Sequence, residues 1–256
     1  MGVITITRVV MQSEKVGMFT KTEQAPQWLL ASWIRSCVAA GATANEGELV
    51  SSCRALLDCW SGPERIYHGP KHLVDVLMHV DELAEEAHAP DLVRLAAWFH
   101  GSVFSAQARS AYANKAGEDE VASGARARLQ LMDLGVSADT AERVSNLVTN
   151  LVRHQLVRSD LDSAVLNDAD LAILKSDPQH YKEYLRAIRE EYAHIPTIDF
   201  VRTRLHITAK LLARPQLFTT VGAAGWEDPA RENLTAERAR LNIELGKLEA
   251  AQVTHN

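Results

Sequence analysis

The stretch RIYHGPKHLVDVLMHV, residues 65–80, decides how the chain is read. Leu73, Val76, Leu77 and Val80 recur at three and four spacing, the period of one helical face. Pro70 precedes them, and proline is favoured in a first helical turn because its missing N–H would have no partner there anyway. The spacing predicts a helix starting near Pro70. His72, Asp75 and His79 repeat at the same spacing on one face, with His68 in the entering turn. Imidazole nitrogen and carboxylate oxygen on one face can bind a divalent metal, or Asp75 can orient a histidine from outside the metal shell. The same residues also fit a solvated polar stripe opposite the apolar face.

Working outward, the helical period recurs over 26–40, 46–60, 70–87, 91–104, 118–134, 138–154, 178–192, 198–213 and 229–249, and alternating β-branched patterns are nearly absent. Start and stop signals agree: Pro90-Asp91, Ser137 after Gly135, and Asp177-Pro178. The expected fold is all-α. No internal repeat, low-complexity run or long flexible linker divides the chain, so a single compact domain is expected over 21–256 after an N-terminal tail at 1–20. Its last helix should dock through Leu234, Leu241, Leu245 and Leu248. The segment SVFSAQARSAYANKAG, 102–117, is longer than most helix connections and rich in small polar residues, the pattern of a mobile or functional loop.

A chain of 256 residues with 46% hydrophobic and 23% charged residues can bury a full core without disulfide or metal staples. Its formal net charge of −6 argues against a broad electrostatic attraction to nucleic acid or an anionic membrane. No apolar run approaches the ~20 residues of a membrane span, and the first residues lack a secretory signal pattern, so a cytoplasmic location is expected. Cys37, Cys53 and Cys59 form no C-x-x-C pair and read as free thiols in a reducing compartment. Nothing in the sequence fixes an oligomeric state.

Two further stretches carry candidate chemistry. In LAAWFHGSVFS, 95–105, His100 follows Leu95, Ala96, Trp98 and Phe99 at the end of an apolar helix, as a hydrogen-bonded core histidine or as a ligand. In LNDADLAILKSD, 166–177, Asp168 and Asp170 lie in a mostly apolar segment, where an unpaired charge costs several kcal/mol, so each needs a partner. A helix N-cap accounts for Asp168 but not for Asp170.

RIYHGPKH, AAWFHGSVF, EDEVASGARA, LNDADLAIL, YKEYLRAIREEYAHI, FVRTRLHITAKLLARPQLF and ENLTAERARLNIEL follow one another over roughly residues 25–250. In that order and spacing they resemble a predicted-phosphohydrolase subgroup of the HD superfamily of metal-dependent phosphohydrolases. The resemblance implies an HD-type helical domain in which His72, His100 and Asp170 hold one divalent ion: manganese, iron, zinc, nickel or magnesium. It makes His68 the acid that protonates a leaving oxygen, Glu120 a residue that orients water or ligand, and Arg65 a contact for phosphate. The implied partner is a nucleotide or another small phosphate ester, with no nucleic acid or membrane. Gly101 is the departure, since it stands where the family's His-Asp pair has its metal-binding aspartate. Two readings follow from that gap: a one-metal phosphohydrolase impaired at Gly101, or a non-catalytic HD-like protein that keeps the pocket for ligand binding or protein association. If the chain is helical there, Gly101→Asp is expected to restore a fourth ligand beside His100, and unchanged metal content in the variant would favour the non-catalytic reading.

Overall fold

Among the residues that the computed structural model describes, 26–107, 117–153 and 160–253, ten α-helices form where apolar period and caps agree. They are α1 (Gln27–Ala39), α2 (Glu46–Trp60), α3 (Pro70–Glu82), α4 (Pro90–Phe99), α5 (Glu120–Asp133), α6 (Ala138–Asn150), α7 (Leu161–Asp170), α8 (Pro178–Glu191), α9 (Thr197–Leu212) and α10 (Glu227–Val253). The expected tail at 1–20 and the middle of the 102–117 loop lie outside the described residues. Local chemistry explains the starts. Asn45 and Glu48 close a capping box on α2, the Ser137 and Asp177 side chains accept first-turn N–H groups of α6 and α8, and Pro70, Pro90 and Pro178 occupy first turns.

Helix α4 is the centre of a single all-α domain. Val93, Leu95, Ala96, Ala97, Trp98 and Phe99 are all buried, and α1, α3, α5, α6 and α7 pack around them. Trp33 meets Trp98 and Phe99 edge-on at 5.4 and 5.8 Å, and the Trp60 indole N–H donates to the Trp98 carbonyl at 3.0 Å. These bonds fix large rings at the inner end of α4, beside His100.

Three departures from the sequence reading have physical causes. The helix expected over 91–104 stops at Phe99, because 104–105 turn back to form an antiparallel pair with 117–118. The helix expected over 70–87 ends at Glu82, and a 3-10 turn, Ala84–Glu86, follows. Helix α7 shows no amphipathic period because it has no solvent face: residues 162–169 are all buried, polar ones included. Asp168 is not a helix N-cap. Its Oδ2 accepts from the backbone N–H of Thr219 and Thr220 and from the Thr220 hydroxyl, each at 2.8 Å, which pins the loop before α10 to α7.

Helix α10 packs on α9 and on the 3-10 turn Leu171–Lys175. Leu234 and Leu241 are buried and Leu245 and Leu248 half-buried, so the apolar stripe makes only part of the contact. Buried Asn233 and Glu237 supply the rest. Cys37 and Cys53 are buried free thiols whose ionisation burial pushes up to about 12, and Cys59 is a half-buried free thiol. No described helix is long and apolar enough to cross a membrane.

Candidate metal centre

Four side chains from four elements meet at the inner end of α4. His72 comes from the first turn of α3, His100 caps the end of α4, Asp170 ends α7, and Glu118 arrives on the short second strand. Each offers one donor atom, and the four atoms lie within 4.8 Å of one another. His72 Nε2 lies 3.2 Å from His100 Nε2, 3.4 Å from Asp170 Oδ1 and 3.9 Å from Glu118 Oε1. His100 Nε2 lies 3.6 Å from each carboxylate. Donors at ~2.0–2.2 Å around a tetrahedral ion stand roughly 3.3–3.6 Å apart, so the spacing fits a single divalent ion.

The chemistry of the set agrees with its spacing. His100 Nδ1 lies 2.6 Å from the Ala97 carbonyl, which can only accept, so this nitrogen carries the proton and Nε2 presents a lone pair to the cluster. Burial pulls the His72 pKa down, but the hydrogen bond to Asp170 and the charges of Glu118 and Asp170 outweigh it and hold the group above its ordinary value. Glu118 Oε1 is buried without a hydrogen-bond partner. An acceptor left in that state costs about 1–3 kcal/mol or more, and a cation among the four donors removes the cost. Two imidazoles and two carboxylates suit zinc, manganese, iron or nickel, and four donors can hold such an ion.

Gly101 is the reason that Glu118 can enter. A Cβ on Gly101 would run into Glu118 Oε1 and the Trp60 ring, whose Cζ3 would lie 2.8 Å away. The glycine is therefore required by close approach: the missing side chain makes the room that the carboxylate occupies. Gly117 contributes through its backbone, with φ of +103°, a conformation few other residues adopt, immediately before Glu118. The strand register pairs Glu118 with Phe104, and the Asp119 N–H donates to the Val103 carbonyl at 2.9 Å, so the carboxylate is delivered beside Gly101. A fourth candidate donor, the Glu118 carboxylate, already occupies the space beside Gly101 into which the Gly101→Asp side chain would have to enter.

The other candidates surround this centre. His68 Nδ1 pairs with Glu191 Oε1 at 2.5 Å, while Glu191 Oε2 accepts the backbone N–H groups of Ile66, Tyr67 and His68 at 2.9–3.0 Å. Burial works to raise the Glu191 pKa, but its bonds to His68 and these N–H groups hold it below the usual carboxylate value. With Nδ1 engaged, Nε2 is the ring nitrogen that His68 has left for a ligand. The His68 ring packs 5.7 Å from that of His72 and 5.2 Å from Phe104.

Arg65 lies between the Trp60 and Phe104 rings and donates at 2.8 Å to the carbonyls of His68 and Gly101, bracing the turn before α3 against the end of α4. Burial lowers its pKa, while Glu118 pulls it back up. Glu120, at the first position of α5, is half-buried, and burial together with Glu118 and Asp170 pushes it up to about 7. Asp75 and His79 do not join the cluster. Asp75 pairs with Lys71 at 2.9 Å, and His79 Nδ1 bonds to the Asp75 carbonyl at 2.7 Å with its ring against Trp226. Of the shared helical face, only His72 reaches the centre.

Sequence reading missed two carboxylates. Glu118 stands in a run of three acidic residues, Glu118-Asp119-Glu120, but only the strand register brings it to Gly101. Glu191 lies in YKEYLRAIREEYAHI, where nothing local marks it out from Glu190. No protein-family model, curated protein or solved structure matches the chain.

Proposed function

We propose that the protein is a metal-dependent phosphohydrolase of the HD type, acting on a small phosphate ester. The observation that supports it most is the convergence of His72, His100, Glu118 and Asp170, with one buried carboxylate oxygen unsatisfied until a cation is present. A divalent ion held there would supply Lewis acidity toward a phosphoryl oxygen and make water a better nucleophile near neutral pH. The chain's own groups supply the rest. His68, oriented through Nδ1 by Glu191, donates a proton from Nε2 to the leaving oxygen. Glu120 accepts a hydrogen bond from the incoming water, and the remaining Arg65 N–H groups meet the phosphate. The alternative, a non-catalytic HD-like protein, rested on a missing ligand, and Glu118 favours the enzyme by providing one.

The test is metal analysis of the full chain purified without chelator, followed by hydrolysis of a panel of phosphate esters. Stoichiometric manganese, iron, zinc or nickel with turnover is expected; metal-free protein without turnover after reconstitution sinks the proposal. Glu118→Gln, which keeps shape but removes the charge, should weaken metal binding by more than about 100-fold, beyond the ~10–100-fold cost of losing an outer-shell partner. Unchanged affinity in that variant would remove Glu118 from the centre.

Glu191→Gln tests the acid. Metal content should hold, while kcat falls about 100-fold, the lower end of the ~10²–10⁴-fold range that general acid catalysis contributes. The loss should grow as the leaving group becomes more basic, because an activated ester needs no proton donor. An equal loss on activated and unactivated esters would assign Glu191 to folding alone.

A further inference from the structure

A cleft of about 350 Å³ opens from His72 and Asp170 and runs between α3 and the 3-10 turn Leu171–Lys175 toward the start of α8. One wall follows the face of α3 from His72 through Asp75 to His79, two helical turns or ~10 Å. The opposite wall runs from Asp170 to Lys175 along a 3-10 segment that rises ~2.0 Å per residue, again ~10 Å. Its far end therefore stands about 10 Å from the metal ligands, a span that a single phosphate cannot fill.

The far end offers donors. Lys175 is three-quarters buried, its ammonium rests 4.2 Å over the Trp226 ring, and its ion pair with Glu82 is long, 3.9 Å. His180 lines the same end. The acidic groups of the cleft outside the metal centre already have partners: Asp75 pairs with Lys71, and Asp177 accepts the N–H groups of Gln179 and His180. Midway, the Asp75 carboxylate and Tyr67 can hydrogen-bond hydroxyl groups. His79, whose pKa burial lowers, has its Nδ1 at the Asp75 carbonyl, which leaves Nε2 as an acceptor.

An aromatic base would meet no free Phe, Tyr or Trp ring among the described lining residues. Tyr67 already has its ring against His68, His72 and Tyr184 at 4.7–5.0 Å, which leaves the smaller imidazoles of His79 and His180. Resting on the phosphohydrolase reading, we propose that this cleft takes a phosphorylated sugar or polyol whose far end carries a second anionic group, with Lys175 and His180 holding that group and Asp75, Tyr67 and His79 meeting the hydroxyls between. A preference over nucleotides rests on the occupied Tyr67 ring and on the lack of another Phe, Tyr or Trp ring among the described lining residues.

The experiment uses the full chain loaded with manganese and three probes: a hexose bisphosphate, a phosphorylated aldonic acid and a hexose monophosphate. Binding is measured by calorimetry and hydrolysis by phosphate release. At least one doubly anionic probe should bind about tenfold more tightly than the monophosphate, and which of the two does so identifies the second group. Lys175→Met keeps the aliphatic stem on Trp226 and should collapse that preference to less than about threefold. Equal binding of all three probes, or a preference that survives Lys175→Met, overturns the inference. Preferential binding lost in the variant without hydrolysis by either protein would uphold the cleft assignment and end the phosphohydrolase reading. Hydrolysis without preference would do the reverse.

Discussion

Gly101→Asp should lower metal affinity by at least about 10–100-fold and destabilise the fold, and Gly101→Ala should do both to a lesser degree. The new Cβ enters space held by Glu118 Oε1 and by the Trp60 ring. The ring cannot easily yield, since Trp60 is fully buried, bonds the Trp98 carbonyl and packs 5.1 Å from His100. Overpacking of this kind typically costs about 1–3 kcal/mol, a fall in Tm of roughly 2–12 °C for a domain of this size. Aspartate adds a second carboxylate beside Glu118, a like-charge penalty that alanine lacks. The alanine variant separates the causes: losing metal there shows that space at 101, rather than a missing carboxylate, governs the site. Metal analysis and thermal unfolding decide it. A folded Gly101→Asp protein with more metal than the parent would give the site the adjacent His-Asp arrangement of HD phosphohydrolases and make Glu118 a bystander.

Glu237→Leu should lower Tm by about 6–20 °C, the equivalent of ~3–5 kcal/mol for breaking a buried ion pair from one side. Arg204 on α9 donates Nε and Nη2 to Glu237 Oε1 at 2.9 and 2.7 Å, Tyr181 donates to Oε2 at 2.6 Å, and Arg204 Nη1 donates to the Tyr184 hydroxyl at 3.2 Å. Burial disfavours the charged guanidinium, but Tyr184 and Glu237 raise its pKa above the ordinary value. Without Glu237 the cation stays buried and unpaired. Exchanging both residues, as in Arg204→Leu with Glu237→Leu, should recover more than half of the loss, because an apolar pair of similar volume leaves nothing unsatisfied. Thermal unfolding of the single and double variants reads this directly. A single variant within a degree or two of the parent would show that the network is indifferent to stability. The network also borders the site, since rings continue from Tyr181 to Tyr184 at 5.4 Å, to Tyr67 at 4.7 Å and to His72 at 5.0 Å. Docking of α10 thus supports the wall on which His72 is held.

The helices were legible because amphipathic period and capping are local. Leu73, Val76, Leu77 and Val80 announce α3, and Ser137 and Asp177-Pro178 announce α6 and α8, whatever the rest of the chain does. Helix α7 was not legible, since a helix buried on every side has no period to show and satisfies Asp162 and Asp168 with partners such as Ala89, Arg143 and Thr219, 73, 19 and 51 residues away. His100 and Asp170 stood out as polar groups in apolar surroundings, where burial demands a partner of some kind, whereas His72 was one of three polar residues on a helical face and was singled out only by the resemblance to HD phosphohydrolases. Their convergence is a property of how α3, α4 and α7 pack.

The fourth donor belongs wholly to the tertiary structure. In one dimension Gly101 is an absence and Glu118 one carboxylate of three. The pairing of 104–105 with 117–118 turns them into complementary parts, a void and the carboxylate that fills it. By itself the sequence determined an all-helical chain and two candidate residues, His100 and Asp170, whose apolar surroundings required an explanation. Only the tertiary structure decided that Gly101 admits the Glu118 carboxylate, because a side chain's absence acquires meaning from what occupies its space.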